Sequence, residues 1–441
     1  MAQGEIKKKA APASTKAKPM KGQKVKKPKS TKADKLQKKY TSGMVTKTEA
    51  LLGERAGHLE LIGKEDAAGR ITKYSQGHAM MKSLGTNGSA SEFAQDVMTG
   101  KGKNRIQTFE EWYQCRQPEI ITMLQEYQYG YYPDHSQETV TATRSGNTVS
   151  ISVTASGKTG KFSATVKLPT GASKSAPAPV VINIGGMQDQ PYLQAGIAVV
   201  GFDYTSVAAD SNSKTGAFWS IYNGRDIGEH ALAMTIRTLD GLNLTVPEID
   251  PTRVGVTGCS RLGKGALAAG LLDKRITLTM PMSSGVQGLG PYRYHGMSGQ
   301  DETLENSKQG APWWSNNALG TFVNHAEWLP YEAHTIAAAI APRALVIDQG
   351  TGDQFTNSKG TAVVVYPAAQ VVYDWLGAGD KIAMSVRSGG HCDLSGYSAV
   401  LQYAQKILLG KNITQDYNNL GSYGSPLTTT YPWATAVPKA P

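Results

Sequence analysis

The sequence predicts an α/β fold, with a mostly parallel sheet covered by helices on both faces. Short apolar runs alternate with helical segments through residues 180–386, the pattern of parallel strands joined by crossover helices. A serine also stands on a glycine-flanked turn between one such run and a helix start, and a histidine follows the last run. In sheets of this kind chemistry gathers at the carboxyl ends of the strands.

The elements read in order. Residues 108–127 have helical spacing, with Trp112, Ile120, Ile121 and Leu124 as apolar positions and Thr108 as N-cap before an acidic pair. Period-two strands follow at 139–143, 148–153 and 162–168, the first two joined through Ser145-Gly146-Asn147, a hairpin signal. Buried strands read at 180–184, 197–202, 254–257, 276–280, 344–347 and 381–386. Between them, 227–242, 262–272, 335–340 and 364–376 read as helices. No internal repeat is found.

The net charge of +11 is unevenly spread. Residues 1–40 hold fourteen lysines, no arginine, and only Glu5 and Asp34 as acids, a local sum of +12, so the other 401 residues sum to −1. Such an arm is too polar and self-repelling to fold alone and is expected to be disordered. It reads as a solvated tail or as a phosphate-binding or nuclear-targeting segment. No aromatic interleaves with the lysines, which removes base stacking. Residues 41–105 are a linker of uncertain structure, with 48–61 as a short helix and 83–104 rich in Gly and Lys. Residues 106–410 are expected to form the α/β domain and 411–441 a C-terminal tail. No apolar run of signal type follows Met1 and no stretch is apolar enough to span a bilayer, so a cytosolic or nuclear location is expected if the arm is genuine. Cys115, Cys259 and Cys392 are too few for a disulfide framework and match no zinc spacing.

Val254-Gly255-Val256-Thr257 runs into Gly258-Cys259-Ser260-Arg261-Leu262-Gly263-Lys264, where a helix begins. A serine on a tight strand-to-helix turn is a nucleophile elbow, crowded enough to need small neighbours. The usual Gly-x-Ser-x-Gly spacing fits, except that the second glycine comes one residue late. The plainer alternative is a helix cap. The helix start offers backbone N–H groups to an oxyanion, and Arg261 adds a guanidinium unless it simply faces solvent.

Of the eight histidines, His58 and His78 lie in the poorly organised N-terminal third and His135 precedes the sheet. His230, His295, His325 and His334 fall in helices or connections, where a structural role is the better reading. His391, in Ser388-Gly389-Gly390-His391-Cys392 beyond the last strand, stands where an α/β-hydrolase fold places its base. A Ser260–His391 pair would bring Cys259 near Cys392, either as a disulfide or as two small buried thiols. Two acids follow the strand and could orient the imidazole: Asp353, in a glycine-containing loop, is the favoured candidate, and Asp348, at the strand end, is the alternative or a local cap.

These residues resemble the glucuronoyl esterases, carbohydrate esterase family 15. The signature is Gly258-Cys259-Ser260-Arg261-x-Gly263-Lys264, supported by Trp112-Tyr113-Gln114-Cys115-Arg116, Tyr127…Gly130…Pro133, Gly185-Gly186, Ala341-Pro342-Arg343 and Gly389-Gly390-His391-Cys392, across residues 106–410. The resemblance implies hydrolysis of glucuronic acid esters that link xylan to lignin alcohols, with no metal or organic cofactor and no membrane partner. It implies Ser260 as nucleophile, His391 as base, Arg261 as oxyanion stabiliser, Lys264, Glu302 and Phe355 as substrate contacts, and a Cys259–Cys392 disulfide. It also implies secretion, at odds with the start of the chain.

The chain departs from the family at several points. Many members carry their acid in a Pro-x-Glu-Ser-Gly context, but here Pro281-Met282-Ser283-Ser284-Gly285 puts Ser283 in its place; other members carry an acid where Asp353 stands. The fungal partner of Cys115 is missing. The arm is similar to a family of small Lys-rich fungal proteins, as either a joined gene model or a genuine two-part protein would explain. Asn87, Asn243 and Asn412 head glycosylation sequons, a number that chance alone can supply. The rivals are another acyl hydrolase on the same fold, such as an acetyl-xylan esterase or peptidase, and a nucleic-acid-associated basic protein with an inert hydrolase domain.

Overall fold

The computed structural model describes residues 98, 105–185, 187–228, 234–295, 301–394 and 397–437. The lysine-rich arm, the helix and linker expected within 41–97, Gly186 and the histidines 58, 78 and 230 lie outside the described residues.

Nine strands form one sheet: β1 (Thr139–Ser145), β2 (Thr148–Ala155), β3 (Lys158–Lys167), β4 (Ala178–Asn183), β5 (Ala198–Phe202), β6 (Ile249–Cys259), β7 (Ile276–Met282), β8 (Ala344–Gly350) and β9 (Ile382–Arg387). Their order is β1-β2-β3-β5-β4-β6-β7-β8-β9. The pairs β1–β2, β2–β3 and β3–β5 are antiparallel, and from β5 to β9 every pair is parallel. The β1–β2 turn closes at Gly146–Asn147, with Gly146 at φ 58°, since a two-residue hairpin wants positive φ at its first central position. The β2–β3 turn uses Ser156 and Gly157, both at positive φ.

The period-two strands bury alternate residues. In β3, Gly160, Phe162, Ala164 and Val166 face inward and their neighbours are exposed. The central strands are buried on both faces. Val180, Ile182, Val254, Val256, Leu345 and Ile347 join one apolar cluster, while Val181, Leu278, Met280, Ala344 and Val346 join a second. That division is why these strands read as continuous apolar runs. Helix Arg261–Leu272 packs on β6 and β7, and helix Ser398–Leu409 packs on β6, β7 and β8.

Several expectations change. The helix from Thr108 begins with a capping box between Thr108 and Glu111 and continues through α- and π-type turns to Tyr129. Ile227 and Gly228 are not helical, and the described helix there is Met234–Thr245. Helix Ser398–Leu409 was not expected, although Val400, Tyr403, Ala404 and Leu408 carry the 3–4 spacing of a buried stripe. Residues 411–437, set apart as a tail by their polarity, are seated on the domain. Tyr417, Leu420, Tyr431 and Trp433 are buried, and the Tyr417 carbonyl accepts from the N–H of Met384 in β9. Met98 is fully buried and its carbonyl accepts from the N–H of Ile106.

Candidate active site

The turn after β6 puts Ser260 at φ 57°, ψ −125°, a conformation that costs a non-glycine residue energy and is held by its surroundings. The Ser260 N–H donates to the Met282 carbonyl at 2.8 Å. A Cβ on Gly258 would lie 2.4 Å from the Leu262 carbonyl oxygen, and one on Gly263 2.9 Å from that of Met282. These contacts explain the late second glycine. At Ser+2 stands Leu262, whose side chain fills the space beside Gly185; the helix meets the end of β7 one residue later, at Gly263.

Cys259 and Cys392 form a disulfide with Cα atoms 5.8 Å apart. It ties the turn carrying Ser260 to the loop carrying His391, because each cysteine is the chain neighbour of one of them. Among the described residues Cys115 is a free, exposed cysteine.

The loops after β8 and β9 are zipped together. The Thr351 N–H donates to the Arg387 carbonyl and the Gly352 N–H to that of Gly389, both at 2.8 Å. A Cβ on Gly350 would stand 2.6 Å from the Gly389 carbonyl oxygen, so the approach needs glycine there. Asp353 is thereby aimed at His391, whose Nδ1 lies 2.9 Å from Asp353 Oδ2. The Asp353 side chain is fully buried, and it also accepts from the N–H groups of Phe355 and Thr356 and from the Thr356 hydroxyl. Burial alone would raise its pKa, but the hydrogen bonds from His391 and Phe355, the His391 charge and a hydrogen bond from Ser283 outweigh it and bring the pKa down to about 2. A carboxylate ionised at working pH accepts only. The proton of the pair therefore sits on Nδ1, leaving Nε2 to act on a nucleophile.

Asp348 faces elsewhere. Its carboxylate is bound by Arg387 Nε at 2.8 Å and by the Ser385 hydroxyl at 2.8 Å, at the register position where β8 meets β9. Burial raises its pKa, against the pull of Arg387. Ser283 is at φ 44°, and its N–H donates to the Asp348 carbonyl.

On the other side of Ser260, Lys264 is almost fully buried, with Nζ 2.9 and 2.8 Å from the two Glu302 oxygens and 5.0 Å from the centre of the Trp314 ring. The expected sugar contacts Lys264 and Glu302 are thus partners of one another, a donor and an acceptor fixed side by side. The Arg261 guanidinium lies over Tyr204 and 3.3 Å from Asp210, which also accepts from the indole N–H groups of Trp313 and Trp314 at 2.7 and 2.9 Å. Asp210, Tyr204, Trp313 and Trp314 escaped the sequence reading; the adjacent tryptophans in a loop were the available signal. Phe355 is 65% exposed, its ring 5.1 Å from that of His391.

Of the histidines set aside, His135 faces Asp240, His325 stacks on Trp328 and His334 is buried in helix Ala333–Ile340. Among the described residues no cluster of side chains is arranged to hold a metal ion, and no helix is long and apolar enough to cross a membrane.

With this sheet, this turn and a histidine–carboxylate pair at its carboxyl edge, the molecule falls in the α/β-hydrolase class, among the carboxylic ester hydrolases. A model of the fungal glucuronyl esterases matches residues 151–377, and the 4-O-methyl-glucuronoyl methylesterase of Podospora anserina is 33% identical over 77% of this chain and 73% of its own. The chain belongs to the glucuronoyl esterases, carbohydrate esterase family 15.

The relative of the same name from Schizophyllum commune is 30% identical over 75% of this chain and 86% of its own. Among solved structures, a family 15 glucuronoyl esterase from Caldicellulosiruptor kristjansonii superposes with a TM-score of 0.72 at 31% identity, covering 79% of this chain and 97% of that one. A mutant of the Sporotrichum thermophile enzyme, solved with methyl 4-O-methyl-beta-D-glucopyranuronate, gives 0.68 at 25% identity, covering 79% and 96%. Residues 1–67 match a separate family described as a protein of unknown function (DUF2462).

Proposed function

We propose that this chain hydrolyses esters of 4-O-methyl-glucuronic acid, such as those joining xylan to lignin alcohols, with Ser260, His391 and Asp353 as its triad. The supporting observation is the buried Asp353 on His391 Nδ1, in a loop that a disulfide ties beside Ser260. Ser260 Oγ attacks the C6 carbonyl while His391 Nε2 takes its proton. The oxyanion settles against the Arg261 backbone N–H and guanidinium at the helix start. His391 then protonates the departing alcohol, and water releases the acid from the acyl-enzyme. The Lys264–Glu302 pair receives sugar hydroxyls, and Phe355 forms an apolar lip.

A wall of Lys264, Glu302, Arg261 and Asp210 suits an oxygen-rich uronate better than an alkyl acyl chain. Benzyl or methyl glucuronate should therefore be cleaved at least a hundredfold better, in kcat/KM, than p-nitrophenyl acetate or butyrate. The reverse preference would place the enzyme with the general esterases.

A disulfide at the site suits an oxidising compartment, which supports secretion of the catalytic domain. The lysine-rich arm is read as a polyanion anchor. Deleting residues 1–40 should abolish salt-dependent retention on heparin and leave benzyl glucuronate hydrolysis unchanged, because the remaining 401 residues carry a net charge of −1. Retention that survives the deletion would place the polyanion site on the domain.

A further inference from the structure

Resting on the triad proposed above, we infer that Arg387 is a positioning residue, which holds the base loop through the Gly390 carbonyl while Asp348 cancels its charge beside the Asp353–His391 pair. Both side chains are buried, at 3% and 1% exposure. Arg387 spends its fork on three different structures. Nε goes to Asp348 Oδ2 at 2.8 Å, Nη1 to the Gly390 carbonyl at 3.0 Å, and Nη2 to the Ser283 hydroxyl oxygen at 3.4 Å. Gly390 is the residue before His391, and the Ser283 hydroxyl is one of the groups that lower the pKa of Asp353. One planar cation therefore touches the backbone of the base and the hydroxyl that touches the acid. Gly350 makes room for it, since a Cβ there would stand 2.8 Å from Nη1.

Lysine could not replace this. It offers a point charge on a flexible stem, whereas the guanidinium is a rigid fork that reaches several acceptors at once. Asp348 then has two roles. It fixes the guanidinium plane, seconded by Ser385, and it removes a positive charge from the neighbourhood of an imidazole that must become a cation during turnover. The other titratable groups around the pair are Asp353, the phenols of Tyr192, Tyr397 and Tyr423, and, in the base loop itself, the Asp393 carboxylate packed against Gly389. Burial holds all three phenols protonated through the working range, Tyr423 being pushed up to about 12. Near neutrality the local charge is thus set by Asp348, Arg387, Asp353, Asp393 and His391, of which the variants below change only the first two.

The two partners should fail differently. Asp348→Asn keeps the fork but leaves its charge uncancelled, because arginine does not deprotonate in proteins. That disfavours the imidazolium, so the acid limb of kcat/KM should move to lower pH by about one unit, on a charge within one loop width of the base. Arg387→Met leaves a carboxyl that burial already pushes toward its neutral form, so the limb should stay near its wild-type position. Its kcat should fall about 10- to 100-fold with KM little changed, the expected result of a misplaced base. Arg387→Lys should recover only part of that loss. The double variant Asp348→Asn/Arg387→Met should lose the pH displacement of the first single variant and keep the kcat of the second.

The experiment is a set of pH–rate profiles on benzyl glucuronate for the intact enzyme and these variants, with melting temperatures and Ser260→Ala measured alongside. An ion pair of purely structural value would lower the melting temperatures while leaving the acid limb and the kcat per folded molecule in place. That result, with Ser260→Ala inactive, overturns the role of Arg387 alone. An active Ser260→Ala overturns the triad as well. If an Arg387→Met single variant does not fold, the charge-neutral double variant and Asp348→Asn still decide the question.

Discussion

Ser260→Ala is expected to lower kcat for benzyl glucuronate by about 10⁶, the loss seen when a triad loses its nucleophile, while binding and the oxyanion site keep a residue of catalysis. The fold should survive. Alanine meets the same backbone demand at φ 57° that serine meets, and the 2.8 Å hydrogen bond to Met282 is made by the backbone N–H, which the substitution keeps. His391→Ala should cost nearly as much, and the double variant no more than either, because the two side chains perform one proton-coupled attack. Steady-state kinetics beside a melting curve decide the matter. Turnover within tenfold of wild type in a folded Ser260→Ala protein would dismiss Ser260 as nucleophile.

Asp353→Asn carries the second large expectation, a loss on the order of 10⁴ at neutral pH. An amide can donate to Nδ1, which would stabilise the wrong imidazole tautomer, and it supplies no charge for the imidazolium. Asp348→Asn should keep most of its turnover at neutral pH, since Asp348 faces Arg387 and Ser385 and not the base. The Asp353 pKa of about 2 sets the pH window. Its folded value lies below the ordinary 3.8, so the stability it contributes is present above about pH 4 and is lost as pH falls through 2. Asp353 should therefore stay ionised through the working range, so the acid limb of activity does not report it. Ser283 already helps to lower the Asp353 pKa and its hydroxyl oxygen sits 3.4 Å from Arg387 Nη2. A carboxylate placed there by Ser283→Glu in the Asp353→Asn background should return part of the rate. An Asp353→Asn enzyme that keeps most of its activity, beside an Asp348→Asn enzyme that does not, would assign the acid to the other aspartate.

All nine strands were legible in the chain because each carries its own local signal. In β1–β3 that signal is the alternation of one buried face, and in β4–β9 it is an apolar run shared between two clusters. Thr108 was legible as a cap for the same reason, its partner Glu111 lying three residues away. Helix Ser398–Leu409 also carries its local signal, the buried stripe Val400, Tyr403, Ala404 and Leu408. The segment 411–437 had no signal to read: its buried residues Tyr417, Leu420, Tyr431 and Trp433 are scattered among polar ones and gain meaning only from the surfaces that receive them.

By itself the sequence determined the class of chemistry, through a serine between Gly258 and Gly263 and a histidine beside a cysteine, features that span a few residues each. It also placed an aspartate in the loop after β8. The tertiary structure decided which carboxylate turns to His391 and what the other one touches, because Asp348 and Asp353 are five residues apart and both follow the same apolar run. Their difference lies in β9, where Ser385 and Arg387 stand at the register positions that capture Asp348 and leave Asp353 to His391. It likewise made Lys264 and Glu302 one ion pair and gathered Arg261, Asp210, Trp313 and Trp314 into one wall. These contacts cross 38 to 104 positions of chain. Local pattern carries no information at that range, since only the packing of helices and loops around the sheet brings such residues within hydrogen-bond reach.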